Sequence, residues 1–199
     1  MKMKDAKKAF LDAYNPKRER GVALSEAWGA AVQRNLLYSN EVGYLHPKRK
    51  EVRVFWEQRV NDISKQDMTS HQYENSFLDL RDEMNKRFKD SFGVKGFRIS
   101  HAQKGLSVFL KHLWCMDLIE EPPQCPVDRR ILVEIQKAVK DEDLKNIGWT
   151  RKDFKAIAWT TVDSIEDHRK IMKAIQTIKG AMSFALWELE AFPTSQSAP

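Results

Sequence analysis

The side chains with the greatest chemical reach lie between Gly93 and Ile135, in GVKGFRISHAQKGLSVFLKHLWCMDLIEEPPQCPVDRRILVEI. Lys104 and Lys111 are seven residues apart, which on a helix puts them on one face about 10 Å apart along the axis. His101 and His112 share that side, opposite an apolar arc of Ala102, Leu106, Phe109, Leu110, Leu113 and Met116. Such a face has two readings. It is the solvated basic side of a core helix, or it is covered by another element. In the second case the face needs a partner. CPVDRRIL is a candidate cover: Pro122, Pro123 and Pro126 force extended or turning backbone, and Asp128 then stands where the next helix needs an N-cap. Capping alone accounts for an aspartate there. The same contacts also hold a carboxylate rigid and ionised, which suits it to face a cationic transition state.

Other chemistries find less support. The five histidines, His46, His71, His101, His112 and His168, show no HExxH or other tight ligand spacing. His101 and His112 lie about 16 Å apart along a helix, too far for one metal ion. No GxGxxG, GxxxxGK[ST] or GxSxG occurs, and no third group stands in register with Ser100-His101 or Cys115. Neither a metal nor a cofactor is expected. The tryptophans recur at helical spacing and read as core, Trp114 among them.

The constellation resembles the helix-hairpin-helix DNA glycosylase superfamily, especially its 8-oxoguanine branch and the archaeal relatives of that branch. The residues that carry the likeness are the Gly93-Val94-Lys95-Gly96 turn, Lys104 ahead of the apolar run GLSVFLKHLWCM, and Asp128 in Pro126-Val127-Asp128. The resemblance implies that the turn grips DNA phosphates through backbone amides. It makes Lys104 the nucleophile toward C1′ of a flipped nucleotide and Asp128 the stabiliser of oxocarbenium-like charge. Gly93, Lys95, Gly96, Arg98, His101 and Lys111 would then contact nucleic acid, with duplex DNA as partner. Lys111 shares the face and is the rival nucleophile. The match spans about 45 residues, and the chain departs from the family pattern in three ways, one being that its N-terminal 90 residues carry no base-pocket motif. FRISHAQ separates Gly96 from Lys104, where the family has a tight G-V-G turn with lysine two residues on. The Lys104-to-Asp128 interval of 24 residues is also longer than in the common branch.

The elements that must position these residues read as helices throughout. Residues 3–14 alternate at helical spacing up to Asn15-Pro16, and KRER follows as a linker. Ser25 is expected to cap a helix carrying Ala27, Trp28, Ala31, Leu36 and Leu37. A second long helix bears Val52, Phe55, Trp56, Val60 and Ile63. A third, after the cap in DMTS, bears Tyr73, Phe77, Leu80, Met84 and Phe88. Residues 141–147 read as a polar connector. Thr150 with Asp153 and Ser164 with Asp167 look like capping devices, the latter opening one helix through to Phe192. No strand alternation persists. The expectation is an all-α, single-domain bundle of about eight helices over residues 1–192, with a disordered tail at 193–199.

Composition agrees with a globular chain: 199 residues can bury one sizeable core, and 42% hydrophobic with 31% charged residues is ordinary for such a protein. The net charge of +6 is unevenly spread. Residues 86–112 hold seven Lys/Arg and one acid, whereas residues 113–147 hold eight acids against five bases. A basic segment next to an acidic one leans toward a polyanionic partner. Two cysteines make no disulfide framework, the basic N-terminus lacks the apolar core of a signal peptide, and no apolar run approaches a membrane span. A cytoplasmic protein without a membrane partner is expected. Two other functions fit the same charge pattern: a non-enzymatic helical nucleic-acid binder, or a protein-interaction module with a basic face.

Overall fold

The computed structural model of the chain describes residues 3–32 and 37–191. The fold is all-α. Among the described residues ten helices follow in order: α1 (Met3–Tyr14), α2 (Arg20–Val32), α3 (Pro47–Ile63), α4 (Ser70–Phe88), α5 (Ile99–Cys115), α6 (Arg129–Ala138), α7 (Asp141–Asn146), α8 (Arg151–Ala156), α9 (Ile165–Ile178) and α10 (Phe184–Ala191). Eight of these have eight or more residues, and short 3-10 turns occupy Lys89–Ser91 and Trp159–Thr161. Among the described residues the one isolated β-type pairing joins Tyr38 to Phe92.

The helices start where side chains can satisfy their first amides. Thr69 Oγ1 accepts from Gln72 N–H and opens α4, Thr150 does the same for Asp153 at α8, and Ser164 for Asp167 at α9. Five expectations fail locally. Leu37, expected on the helix that Ser25 opens, lies beyond α2 in irregular backbone, its O accepting Gly93 N–H. Arg20 of KRER belongs to α2, and Ser25 lies inside that helix because Asn15 Oδ1 already receives Glu19 N–H at 3.0 Å upstream. Residues 141–146 wind into α7, whose acidic first turn suits a helix N-terminus. The segment after Ser164 breaks into α9 and α10 because Gly180 takes φ +63 and stops the first helix. Leu36 and the 193–199 tail lie outside the described residues.

Apolar burial divides into three clusters. The largest packs α2, α3 and α4 against α5 through Trp56, Tyr73, Phe77, Leu80, Met84, Leu106 and Phe109. The second joins α6 to α9 through Ile131, Ile135, Phe154, Ile171 and Ile175. A smaller one closes α1 and α10 over the end of α5 with Phe10, Leu11, Trp114 and Leu189. As a result α5 is covered on nearly every side. Gly105 permits the closest approach, since a Cβ there would stand 2.9 Å from Trp56 Cζ2 and 3.1 Å from Ala31 Cβ. No helix among the described residues is long and apolar enough to cross a membrane.

Candidate functional site

The hairpin between α4 and α5 is built around Gly96. Its N–H bonds to Gly93 O at 2.8 Å and its φ is +61, so residues 93–96 form a tight turn. Asn85 of α4 locks this turn from below. Its Oδ1 accepts Phe97 N–H and its Nδ2 donates to Phe97 O, both at 2.7 Å. Val94 and Lys95 are left exposed at the tip. Gly93, Lys95 and Gly96 therefore sit where a polyanion can reach them. The other expected contacts do not. Arg98 is buried where α5 begins, and its N–H donates to His101 Nδ1 at 2.9 Å. His101 is fully buried, stacked on Phe97 at 5.2 Å between ring centres, with its pKa pushed down to about 3 by burial and then by Arg98. It secures the helix start and has no path to a phosphate.

The basic face of α5 is covered, not solvated. Lys111 is buried and donates to both Glu188 oxygens, at 2.8 and 2.9 Å, with its amine 4.5 Å from the Phe10 ring centre. That pairing takes it out of the roles of phosphate contact and free nucleophile. Lys104 is placed differently. Its Nζ stands 3.8 Å from Asp128 Oδ2, beyond hydrogen-bond range, and 4.0 Å from the ring centre of Trp159. Side-chain exposure is 12% for Lys104 and 27% for Asp128. Burial lowers the Lys104 pKa; Asp128 opposes that shift, while Arg130 and Lys111 reinforce it.

Asp128 divides its two oxygens between two tasks. Oδ1 accepts Arg130 N–H at 2.8 Å and Ile131 N–H at 3.1 Å, which caps α6 and fixes the carboxylate. Oδ2 is left to face Lys104. What holds Asp128 over α5 is Gln103, 1% exposed. Its Nε2 donates to Cys125 O at 2.9 Å and to Ser107 Oγ at 2.9 Å, and its Oε1 accepts Val127 N–H at 3.2 Å. One turn below, Ser107 meets the Tyr73 hydroxyl. On the other side of the crossing, Gln124 donates to Glu74 Oε1 at 3.2 Å and its Oε1 faces His168 Nε2 at 2.8 Å. The proline-rich segment is thereby bonded to α4, α5 and α9 together.

Lys104 and Asp128 open into a cavity of about 750 Å³. Its walls come from Phe10 and Tyr14 of α1, Ser25, Glu26 and Gly29 of α2, Val108 and His112 of α5, and Glu188 of α10. His112 is buried and packs 4.7 Å from the Phe10 ring centre. Its pKa falls to about 4, chiefly from burial and then from Lys111, so the ring is neutral, and its Nδ1 has no hydrogen-bond partner among the described residues. The cysteines offer no rival nucleophile: both are buried, and burial raises the Cys115 thiol to about 12 and the Cys125 thiol well above its usual value. No group of three or more His, Cys, Asp or Glu able to hold a metal ion gathers among the described residues.

Three contributors carried no signal in the sequence. Glu188 pairs across 77 residues, Gln103 is a polar residue on an otherwise unremarkable helix, and Trp159 lies on an irregular turn docked onto α5. That docking uses Ser100 N–H to Val162 O and Ile99 N–H to Asp163 Oδ1, both at 3.0 Å. Comparison with protein-family models, with curated proteins and with solved structures gives no match to this chain.

Proposed function

We propose that this protein is a DNA base-excision glycosylase with lyase character, acting on an extruded nucleotide through Lys104 and Asp128. The observation that supports this reading is the approach of Lys104 Nζ to within 3.8 Å of Asp128 Oδ2 at the wall of a nucleotide-sized cavity. A target C1′ inside a duplex is out of reach of any side chain, so the nucleotide must leave the stack. The neutral Lys104 amine attacks C1′, forming an N–C bond. The glycosidic bond breaks with its electron pair leaving on the base, which takes up a proton. The attacking nitrogen loses its extra proton, and cleavage of C1′–O4′, with a proton delivered to O4′, gives the Schiff base. As the glycosidic bond loosens, cationic charge grows on the sugar, and the Asp128 carboxylate lies beside it. Desolvation favours the neutral amine that the attack requires. The exposed tip of the turn offers Lys95 to the phosphates, while the Gly93 and Gly96 amides are already bonded to Leu37 O and Gly93 O, each at 2.8 Å.

The non-catalytic readings lean on the basic 86–112 segment. Burial of Arg98, His101 and Lys111 removes the α5 part of it, while Lys86, Arg87, Lys89 and Lys95 stay exposed around the hairpin; neither reading makes use of the approach of Lys104 to Asp128.

Borohydride trapping on duplexes containing an abasic site tests the proposal. A covalent adduct should form with the wild-type chain and vanish in Lys104→Gln. If the adduct persists in Lys104→Gln, or forms with neither chain while excision is also absent, the assignment is wrong.

A further inference from the structure

Lys104 Nζ stands 4.0 Å from the ring centre of Trp159, yet Trp159 forms no part of the cavity wall. The ring therefore touches the amine without occupying the space of a substrate. Its place is fixed from two sides. Thr161 N–H closes the turn on Ala158 O at 2.8 Å, and the next residues, Val162 and Asp163, receive the Ser100 and Ile99 amides that open α5. The indole itself is half-buried against the cluster that joins α6 to α9. Ring and lysine are thus set by the same end of α5.

The groups facing this amine come from several elements. Asp128 Oδ2, just before α6, is too far at 3.8 Å to hydrogen-bond it but favours its charge. Burial, then Arg130 of α6 and Lys111 of α5, act against that charge. On the remaining walls Glu188 of α10 is committed to Lys111, and His112 of α5 is neutral. Glu26 of α2, Tyr14 of α1 and Tyr44 ahead of α3 are the other titratable groups there. A ring face attracts a cation most strongly where water is excluded, and the Lys104 side chain is largely buried.

We infer that Trp159 is a positioning residue for Lys104, its ring face anchoring the resting ammonium beside Asp128 and setting how readily the free amine is released to the cavity. This rests on the nucleophilic role proposed above for Lys104. The attraction needs the positive charge. Loss of the proton therefore frees the lone pair and loosens the anchor together.

Fluorine withdraws negative charge from the indole face with little change in volume, so it separates electrostatics from packing. The test places tryptophan and its mono-, di- and trifluoro analogues at position 159 of the full chain. Acetic anhydride labelling, read at Lys104 by mass spectrometry, follows the free amine against pH without any DNA. Lys137, exposed and paired with Glu134, is the internal standard and should not respond. The Lys104 midpoint should move to lower pH with each fluorine. On the acid side of the midpoint, labelling should rise about fivefold over the series, the equilibrium equivalent of a modest cation–π contact. Borohydride trapping on an abasic duplex gives the second readout, and the acid limb of its pH–rate profile should move with the labelling midpoint. A midpoint that stays or rises across the series would overturn the inference, because the ring would then only fill space. A trapping profile that ignores the fluorines while the labelling midpoint falls would also overturn it. A falling midpoint with no adduct at any pH would uphold the anchor and overturn the glycosylase reading instead.

Discussion

Asp128 gives one oxygen to structure and, on the proposed function, keeps the other for chemistry. Oδ1 is committed to two amides at the start of α6, and Oδ2 is left to face Lys104. Asparagine caps a helix nearly as well as aspartate but carries no charge. Asp128→Asn should therefore keep the melting temperature within a few degrees and slow single-turnover formation of the trapped adduct by about 100-fold, the scale of losing one well-placed electrostatic group. A large fall in stability with no change in rate would make Asp128 a cap alone. The Lys104–Asp128 pair was legible in the sequence because a lysine on a helix and a capping aspartate after prolines each leave a local signature. Lys111 was legible as a position but not in its role. Glu188, which neutralises it, comes from α10 with no spacing to betray it, and what a side chain meets across the fold is not a property of its own helix.

At the scale of elements, the long amphipathic helices were readable from periodicity, and the Thr150 and Ser164 caps from chemistry within three residues. What escaped was short or decided by backbone conformation. α7 spans six residues, too few for a period to show, and the end of α9 depends on Gly180 at positive φ. The α4–α5 hairpin is the element most exposed to a single change. A Cβ on Gly96 would stand 2.6 Å from Asn85 Oδ1 at φ +61, so both the local conformation and the Asn85 clamp are strained together. Gly96→Ala should cost about 1–3 kcal/mol in urea denaturation. Gly21→Ala is the control, since its Cβ meets nothing within 4 Å in a helix and alanine should be neutral or stabilising there. Equal effects from the two substitutions would mean that the turn geometry at Gly96 is unimportant.

Across the whole molecule, stability is tied to pH by three interior histidines. Burial first, and a neighbouring cation second, pushes His101 to about 3 and His112 and His168 to about 4, from an ordinary 6.5. The unfolded chain gains these protons as pH falls through 6.5, and the native state does not until pH 3–4. The contribution to stability is therefore complete from about pH 7.5 upward and is lost as pH falls through 6.5 toward 4, by up to about 1.4 kcal/mol per pH unit for each ring. Urea midpoints at pH 8.5, 7.5 and 5.5 should be level between the first two and fall at the third; a flat series would mean that the rings are solvated. The cavity has a different dependence on the whole. Its walls come from both ends of the described chain, with Phe10 and Tyr14 near one and Glu188 near the other. Helices α2 to α5 can thus pack around Trp56 while Lys111 still lacks its carboxylate. On the proposed function, the amine of Lys104 meets its finished surroundings only once α10 has docked, so the pocket is among the last parts of the fold to close.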